Sequence, residues 1–163
     1  RGDCFYVLDE IVVEQATTFD ACNEFHTRYW DHPGDILIYG DASGNSLKTS
    51  GTTDYDMIRQ FFSRHRARPV RYLIPTKNPA VRDRILMMNS MLRSADGQVR
   101  LRISPKCKRT IRDLQEVTYK GDTGLIDKLR DPKLTHLSDA LGYLIWQECR
   151  PQPTFGEQNR RLF

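Results

Sequence analysis

Two aspartates far apart in this chain stand where a carboxylate can do chemistry. Asp139 lies in the run Thr135-His136-Leu137-Ser138-Asp139-Ala140-Leu141-Gly142-Tyr143, around which Leu134, Leu137, Leu141, Leu144 and Ile145 recur at helical spacing. On such a helix His136, Asp139 and Tyr143 fall together, away from that apolar stripe. A carboxylate there, one turn after an imidazole, is suited to bind a metal ion or to act as a cap partner. Asp41 follows the apolar run 36–39 and the turn residue Gly40, in Ile-Leu-Ile-Tyr-Gly-Asp-Ala-Ser-Gly-Asn. An acid just past the carboxyl end of a buried strand sits where ligands collect in α/β sheets. Ser43, Gly44 and Asn45 then supply a small, flexible loop with room for a phosphate or a metal. The alternative for Asp41 is a turn residue bonded to its own backbone.

The elements that must position these two acids are legible as alternating patterns. Residues 5–13, 36–39, 71–74 and 98–103 are predicted strands, rich in Val, Ile, Phe, Tyr and Leu. The run 36–39 is expected to be buried on both faces, and Arg100 and Arg102 to project from one face of 98–103. Helices are predicted over 18–28, 55–64, 80–94, 107–117 and from 132 to 146, with Asp131 as cap and Pro132 in first position of the last. Thr53 or Asp54 is expected to cap the second helix. Phe61, Phe62, Met88, Met91, Ile111 and Leu114 point to the core, while His26 and His32 are read as structural. Asp122, in a loop over 121–124, is placed near the late helix, and 49–53 is a polar, mobile loop near Asp41. Pro151, Pro153 and Gly156 make the stretch 151–163 an extended tail. Strands alternating with helices give an α/β layer fold over 1–150.

The charge distribution suggests a partner. The net charge is only +4, but fourteen Lys or Arg residues fall between Arg64 and Arg112, opposed there by Asp83 and Asp96 alone. Arg64, Arg66, Arg68, Arg82, Arg84, Arg100, Arg102, Lys106, Lys108 and Arg109 are the candidates for holding a phosphate backbone. A solvated, solubilising surface is the alternative.

A buried strand ending in Gly-Asp-Ala-Ser-Gly, a basic middle and a late His-Leu-Ser-Asp-Ala-Leu-Gly-Tyr helix resemble the nuclease domain of tailed-bacteriophage large terminase subunits. The opening Arg1-Gly-Asp-Cys-Phe-Tyr-Val-Leu-Asp-Glu-Ile resembles that family's early hairpin strand, so the likeness spans roughly residues 1 to 148. It implies an RNase H-like fold, a mixed sheet flanked by helices with an early antiparallel hairpin, and here without its first strand or strands. It implies cutting of concatemeric double-stranded DNA by two-metal phosphodiester hydrolysis, with two Mg²⁺ or Mn²⁺ ions held by carboxylates. Asp41 matches the family's second acid and Asp139 its third. The first has no counterpart and is expected upstream of Arg1, with Asp9 or Glu10 as substitutes. His136 would orient Asp139, touch a phosphate or shuttle a proton. The implied partners are double-stranded DNA, an ATPase domain of the same polypeptide, the small terminase subunit and the procapsid portal. The implied setting is the cytoplasm of an infected bacterium. Two other functions fit the same residues, a non-catalytic DNA-binding or portal-docking module and another RNase H-like nuclease of resolvase or transposase type.

Composition narrows the field. With 163 residues, 39% hydrophobic and 28% charged, the chain is long enough for one domain with a sizeable core. Its apolar runs are too short to span a membrane. Cys4, Cys22, Cys107 and Cys149 lack metal-ligand spacing and read as free thiols. The sequence holds no GxxxxGK[ST] run, so it carries no P-loop ATPase.

Overall fold

Thr17 and Asp20 close the first turn of a helix reciprocally, each side chain bonding the other's backbone N–H, and Thr53 and Asp56 do the same for a second helix. Those two caps begin the paired helices of the first half of the protein. The computed structural model describes residues 4–49, 51–65, 69–118 and 134–150. In order, these form β1 (Phe5–Val7), α1 (Thr18–Tyr29), β2 (Ile36–Tyr39), a 3-10 turn (Ala42–Asn45) and α2 (Asp54–His65). There follow β3 (Val70–Leu73), α3 (Val81–Leu92), β4 (Leu101–Ile103), α4 (Lys108–Glu116) and α5 (His136–Cys149). The protein is a mixed α/β fold with short parallel strands.

The strands pair in two separate couples. β2 runs parallel to β3, with Ile36 opposite Val70 and Tyr39 opposite Leu73. β1 runs parallel to β4, with Phe5 opposite Leu101 and Val7 opposite Ile103. Both described pairings are parallel, so the antiparallel hairpin expected early in the chain is not found among the described residues. Nor is β2 buried on both faces, since Leu37 is 37% exposed.

Each couple has its own apolar core. Cys22 of α1, Ile36 of β2 and Phe61 and Phe62 of α2 form the first, with Phe25, Ile38, Ile58 and Val70 against them. Phe61 is 1% exposed and meets Phe19 and Phe62 edge to face, the arrangement that ring quadrupoles favour. Met88 and Met91 of α3, Leu101 of β4 and Ile145 of α5 form the second, joined by Leu114, Leu141 and Leu144. α5 packs on α3 and α4 and also touches β2, so it bridges the halves. The Tyr39 hydroxyl donates to Glu148 Oε1 at 2.8 Å across that bridge, and burial followed by this bond pushes the phenol well above its usual range.

Several boundaries differ from the sequence expectation for visible reasons. The strand predicted over 5–13 stops at Val7 because the next acids turn to other partners. Asp9 accepts bonds from the Tyr29 hydroxyl and Arg28, and Glu10 reaches the first turn of α4. The strand expected from 98 begins at Leu101, because Gln98 and Arg100 bond back to Ser94 and Met91 at the end of α3. α5 begins at His136, with Thr135 rather than Asp131 as its cap residue. Asp131, Pro132, Asp122 and the tail 151–163 lie outside the described residues. All four cysteines are unpaired. No helix among the described residues is long and apolar enough to cross a membrane.

Candidate active site

Asp41 is placed by a turn whose glycines are required by one tyrosine. Gly40 directly follows β2, and a Cβ there would collide with the Tyr55 hydroxyl oxygen. A Cβ at Gly44 would come within 2.6 Å of the Tyr55 ring. Tyr55, 6% exposed, therefore fills the space under the loop, and its hydroxyl donates to the Asp41 carbonyl at 2.7 Å. Burial, and then the charges of Asp41 and Asp54, push this phenol up to about 12. The Asp41 carboxylate caps the 3-10 turn, where Oδ1 accepts from Ser43 Oγ at 2.6 Å and from the Gly44 N–H at 3.1 Å. The Ala42 N–H donates to Asn78 Oδ1 at 2.6 Å, which ties the loop to the segment before α3. Ser43, Gly44 and Asn45 thus belong to a 3-10 turn, with Ser43 and Asn45 exposed.

Asp139 is placed by contacts from distant elements. The buried Asp113 of α4 accepts from the Leu137 and Ser138 N–H groups at 3.0 and 3.2 Å, holding the first turn of α5. Burial raises the Asp113 carboxyl above its ordinary value, against the lowering effect of those two bonds. Arg84 of α3 pairs with Asp139 Oδ1 at 2.8 Å and donates to the Asp139 carbonyl at 3.0 Å. Its guanidinium carbon lies 4.3 Å from the centre of the Tyr143 ring.

These two acids come together. Asp41, Asp54, Tyr55, His136, Asp139 and Tyr143 line one open concavity of about 430 Å³ at the carboxyl end of β2. His136 stands exposed at the start of α5 on its rim. The Tyr143 phenol is raised by burial and, against the opposing effect of Arg84, by the charges of both Asp41 and Asp139. Both carboxylates therefore act on one phenol.

Asp54, at the start of α2, is a third carboxylate on the wall. It bonds Lys48 Nζ at 2.6 Å and the Thr18 hydroxyl. Burial would raise it, but those partners prevail and lower it. Asp9 and Glu10, the expected substitutes for a first acid, are elsewhere, on α1 and at the start of α4. Among the described residues no group of three or more His, Cys, Asp or Glu side chains is gathered to hold a metal ion. The carboxylates of Asp41, Asp54 and Asp139 on the concavity suit a hard divalent cation in kind, with the His136 imidazole beside them and no cysteine on the lining.

The basic candidates divide. Arg64, Arg82, Arg102, Lys106, Lys108 and Arg109 are exposed, with Arg109 paired to Glu14 at 2.9 Å. Arg66 and Arg68 lie outside the described residues. Arg100, just before β4, is half-buried, whereas Arg102 within it is exposed. Arg84 is 5% exposed and committed to Asp139, so it belongs to the interior and not to a DNA-facing surface.

No family model, curated protein or solved structure matches this chain.

The sequence pattern singled out Asp41, Asp139 and His136, which line this concavity, but not the groups that hold the two acids. Arg84 carried a signal, because it occupies the buried stripe of α3 with Met88 and Met91 at i+4 and i+7. Gly142 carried another, as a glycine inside a helix that marks a close approach. A Cβ at Gly142 would lie 3.1 Å from Arg84 Cγ and Nη1. Nothing local marked Tyr55 or Asp113.

Proposed function

We propose that this chain is a divalent-metal-dependent endonuclease domain of a viral DNA-packaging terminase, cutting concatemeric double-stranded DNA. What supports the reading is the convergence of Asp41 and Asp139, from opposite halves of the fold, on one open concavity with His136 at its rim. Asp41 and Asp139 would hold Mg²⁺ or Mn²⁺, which when bound activates water and offsets charge on the phosphorus centre. His136 would touch a phosphate or pass a proton to the departing oxygen. Exposed Arg64, Arg82, Arg102, Lys106 and Lys108 supply positive charge for the duplex backbone. The partners that go with the reading are double-stranded DNA, an ATPase domain of the same polypeptide, the small terminase subunit and the procapsid portal, in the cytoplasm of an infected bacterium.

One observation favours a second reading, a DNA-binding or portal-docking module without catalysis. Asp139 is paired with a buried arginine. Nicking of supercoiled plasmid with Mn²⁺, Mg²⁺ or EDTA, beside Asp41→Ala and Asp139→Ala, separates the two. The nuclease reading expects metal-dependent nicking abolished in both variants at equal folded fraction, with Asp139→Ala also lowering the melting temperature because it leaves Arg84 buried without its carboxylate. Salt-sensitive DNA binding without cutting would select the docking module, and a substantially active Asp139→Ala protein would remove α5 from the chemistry.

A further inference from the structure

Arg84 stands on the buried stripe of α3, where a charged side chain is costly unless it is paired and hydrogen-bonded. Its surroundings are shaped to keep it there. Gly142 leaves the notch its side chain crosses, Tyr143 offers a ring face, and Asp139 supplies two acceptors. The two acceptors belong to one residue, the carboxylate through Nη2 and the backbone carbonyl through Nη1. A rigid planar fork that bridges a side chain to its own backbone fixes that side chain's rotamer, which a flexible lysine would not do. Asp139 keeps 26% of its side chain exposed while Arg84 keeps 6%, so the clamp grips from the interior and the acid faces the concavity.

We propose that Arg84 is a positioning residue that fixes the Asp139 carboxylate at the concavity and tempers its attraction for a divalent cation. The inference rests on the nuclease reading above. The clamp makes two separable contributions, orientation and charge. Loss of orientation slows cutting. Loss of the positive charge beside the ligand tightens cation binding. A residue that only stabilises the fold would lower the amount of active protein and leave cation affinity unchanged.

The test uses the full chain with Mn²⁺ as the cation. Binding is followed by loss of the free-ion electron paramagnetic resonance signal, and plasmid nicking is titrated against Mn²⁺. Arg84→Gln is expected to bind Mn²⁺ several-fold more tightly and to cut on the order of 10–100-fold more slowly. Arg84→Lys keeps the charge, and so is expected to keep wild-type Mn²⁺ affinity with an intermediate rate. Gly142→Ala reaches the clamp by a second route, displacing the guanidinium without removing it, and is expected to slow cutting. Wild-type Mn²⁺ affinity in Arg84→Gln, with a rate explained by its folded fraction, would overturn the proposal and leave Arg84 a packing residue.

A wild-type chain that neither binds Mn²⁺ nor cuts would overturn the nuclease reading instead. The clamp is then read by melting temperatures of Arg84→Gln, Asp139→Asn and the double variant. The double variant is expected to lose less than the sum of the singles. Additive losses would overturn the clamp.

Discussion

Asp41 and Asp139 face the same concavity but are held by different means. Asp41 is held locally by its own turn, by Ser43 and Gly44, and from below by the neutral Tyr55. Asp139 is held by side chains from two other helices, directly by Arg84 of α3 and, through the first turn of α5, by Asp113 of α4. The first arrangement can form as soon as β2 and α2 pack. The second needs α3, α4 and α5 assembled, so its precision depends on long-range closure, which has a cost in chain entropy. A site shared between such halves can be damaged from either side with different symptoms.

The largest expected effect tests whether the halves are separate in stability. Phe61→Ala empties the centre of the first core and is expected to cost about 3–5 kcal/mol by denaturant unfolding. Amide exchange should then rise in α1 and α2 while α3 and α5 keep their protection. A uniform rise would show that the two clusters open as one unit.

A smaller effect tests the neutral clamp. Gly40→Ala forces a methyl group into the Tyr55 hydroxyl and is expected to cost about 1–3 kcal/mol. Tyr55→Phe only deletes the bond to the Asp41 carbonyl and is expected to cost about 0.5–1.5 kcal/mol. If Gly40→Ala is restored when combined with Tyr55→Phe, the collision with the hydroxyl is the cause. A cost unchanged in the double variant would place the strain in the backbone of the turn.

The same division explains what the sequence made legible. The Asp41 loop is local, so Ile-Leu-Ile-Tyr-Gly-Asp-Ala-Ser-Gly is enough to mark a strand, a sharp turn and an acid at the strand's end. His136, Asp139 and Tyr143 lie within one helix, where a period of 3.6 residues places them together. Arg84 comes from a helix far earlier in the chain, and a count of surface cations assigned it to DNA. Its register with Met88 and Met91 argued the other way. The strand predicted over 5–13 had the right composition but lost its second half to Asp9 and Glu10, whose partners lie on α1 and α4. Tertiary hydrogen bonds outweighed β propensity there, and no window of neighbouring residues contains them.

The smallest effect concerns pH, where the sign and not the size decides. Glu10 and Asp113 are both carboxylates set against the first turn of a helix, on α4 and α5 respectively. Burial would raise Glu10, but bonds from the Arg109 and Thr110 N–H groups and the Thr110 hydroxyl prevail and hold it below its ordinary value. Its stabilisation is present above that ordinary value and is lost as pH falls through the lower folded one. For Asp113, burial prevails over its two backbone bonds and the folded value is raised. Its favourable contribution is present below the ordinary carboxylate value and is lost as pH rises through the raised one. Melting temperatures of Glu10→Gln and Asp113→Asn, each relative to wild type from about pH 3 to about pH 7, should therefore diverge. Glu10→Gln should fall further behind wild type as pH rises, whereas Asp113→Asn should gain on it. Tyr55→Phe should show no trend, because its phenol stays neutral until about pH 12. If Asp113→Asn instead loses ground as pH rises, the bonds to Leu137 and Ser138 outweigh burial. The first turn of α5 would then be held by the ionised carboxylate, and Asp139 would be positioned best above the acidic range.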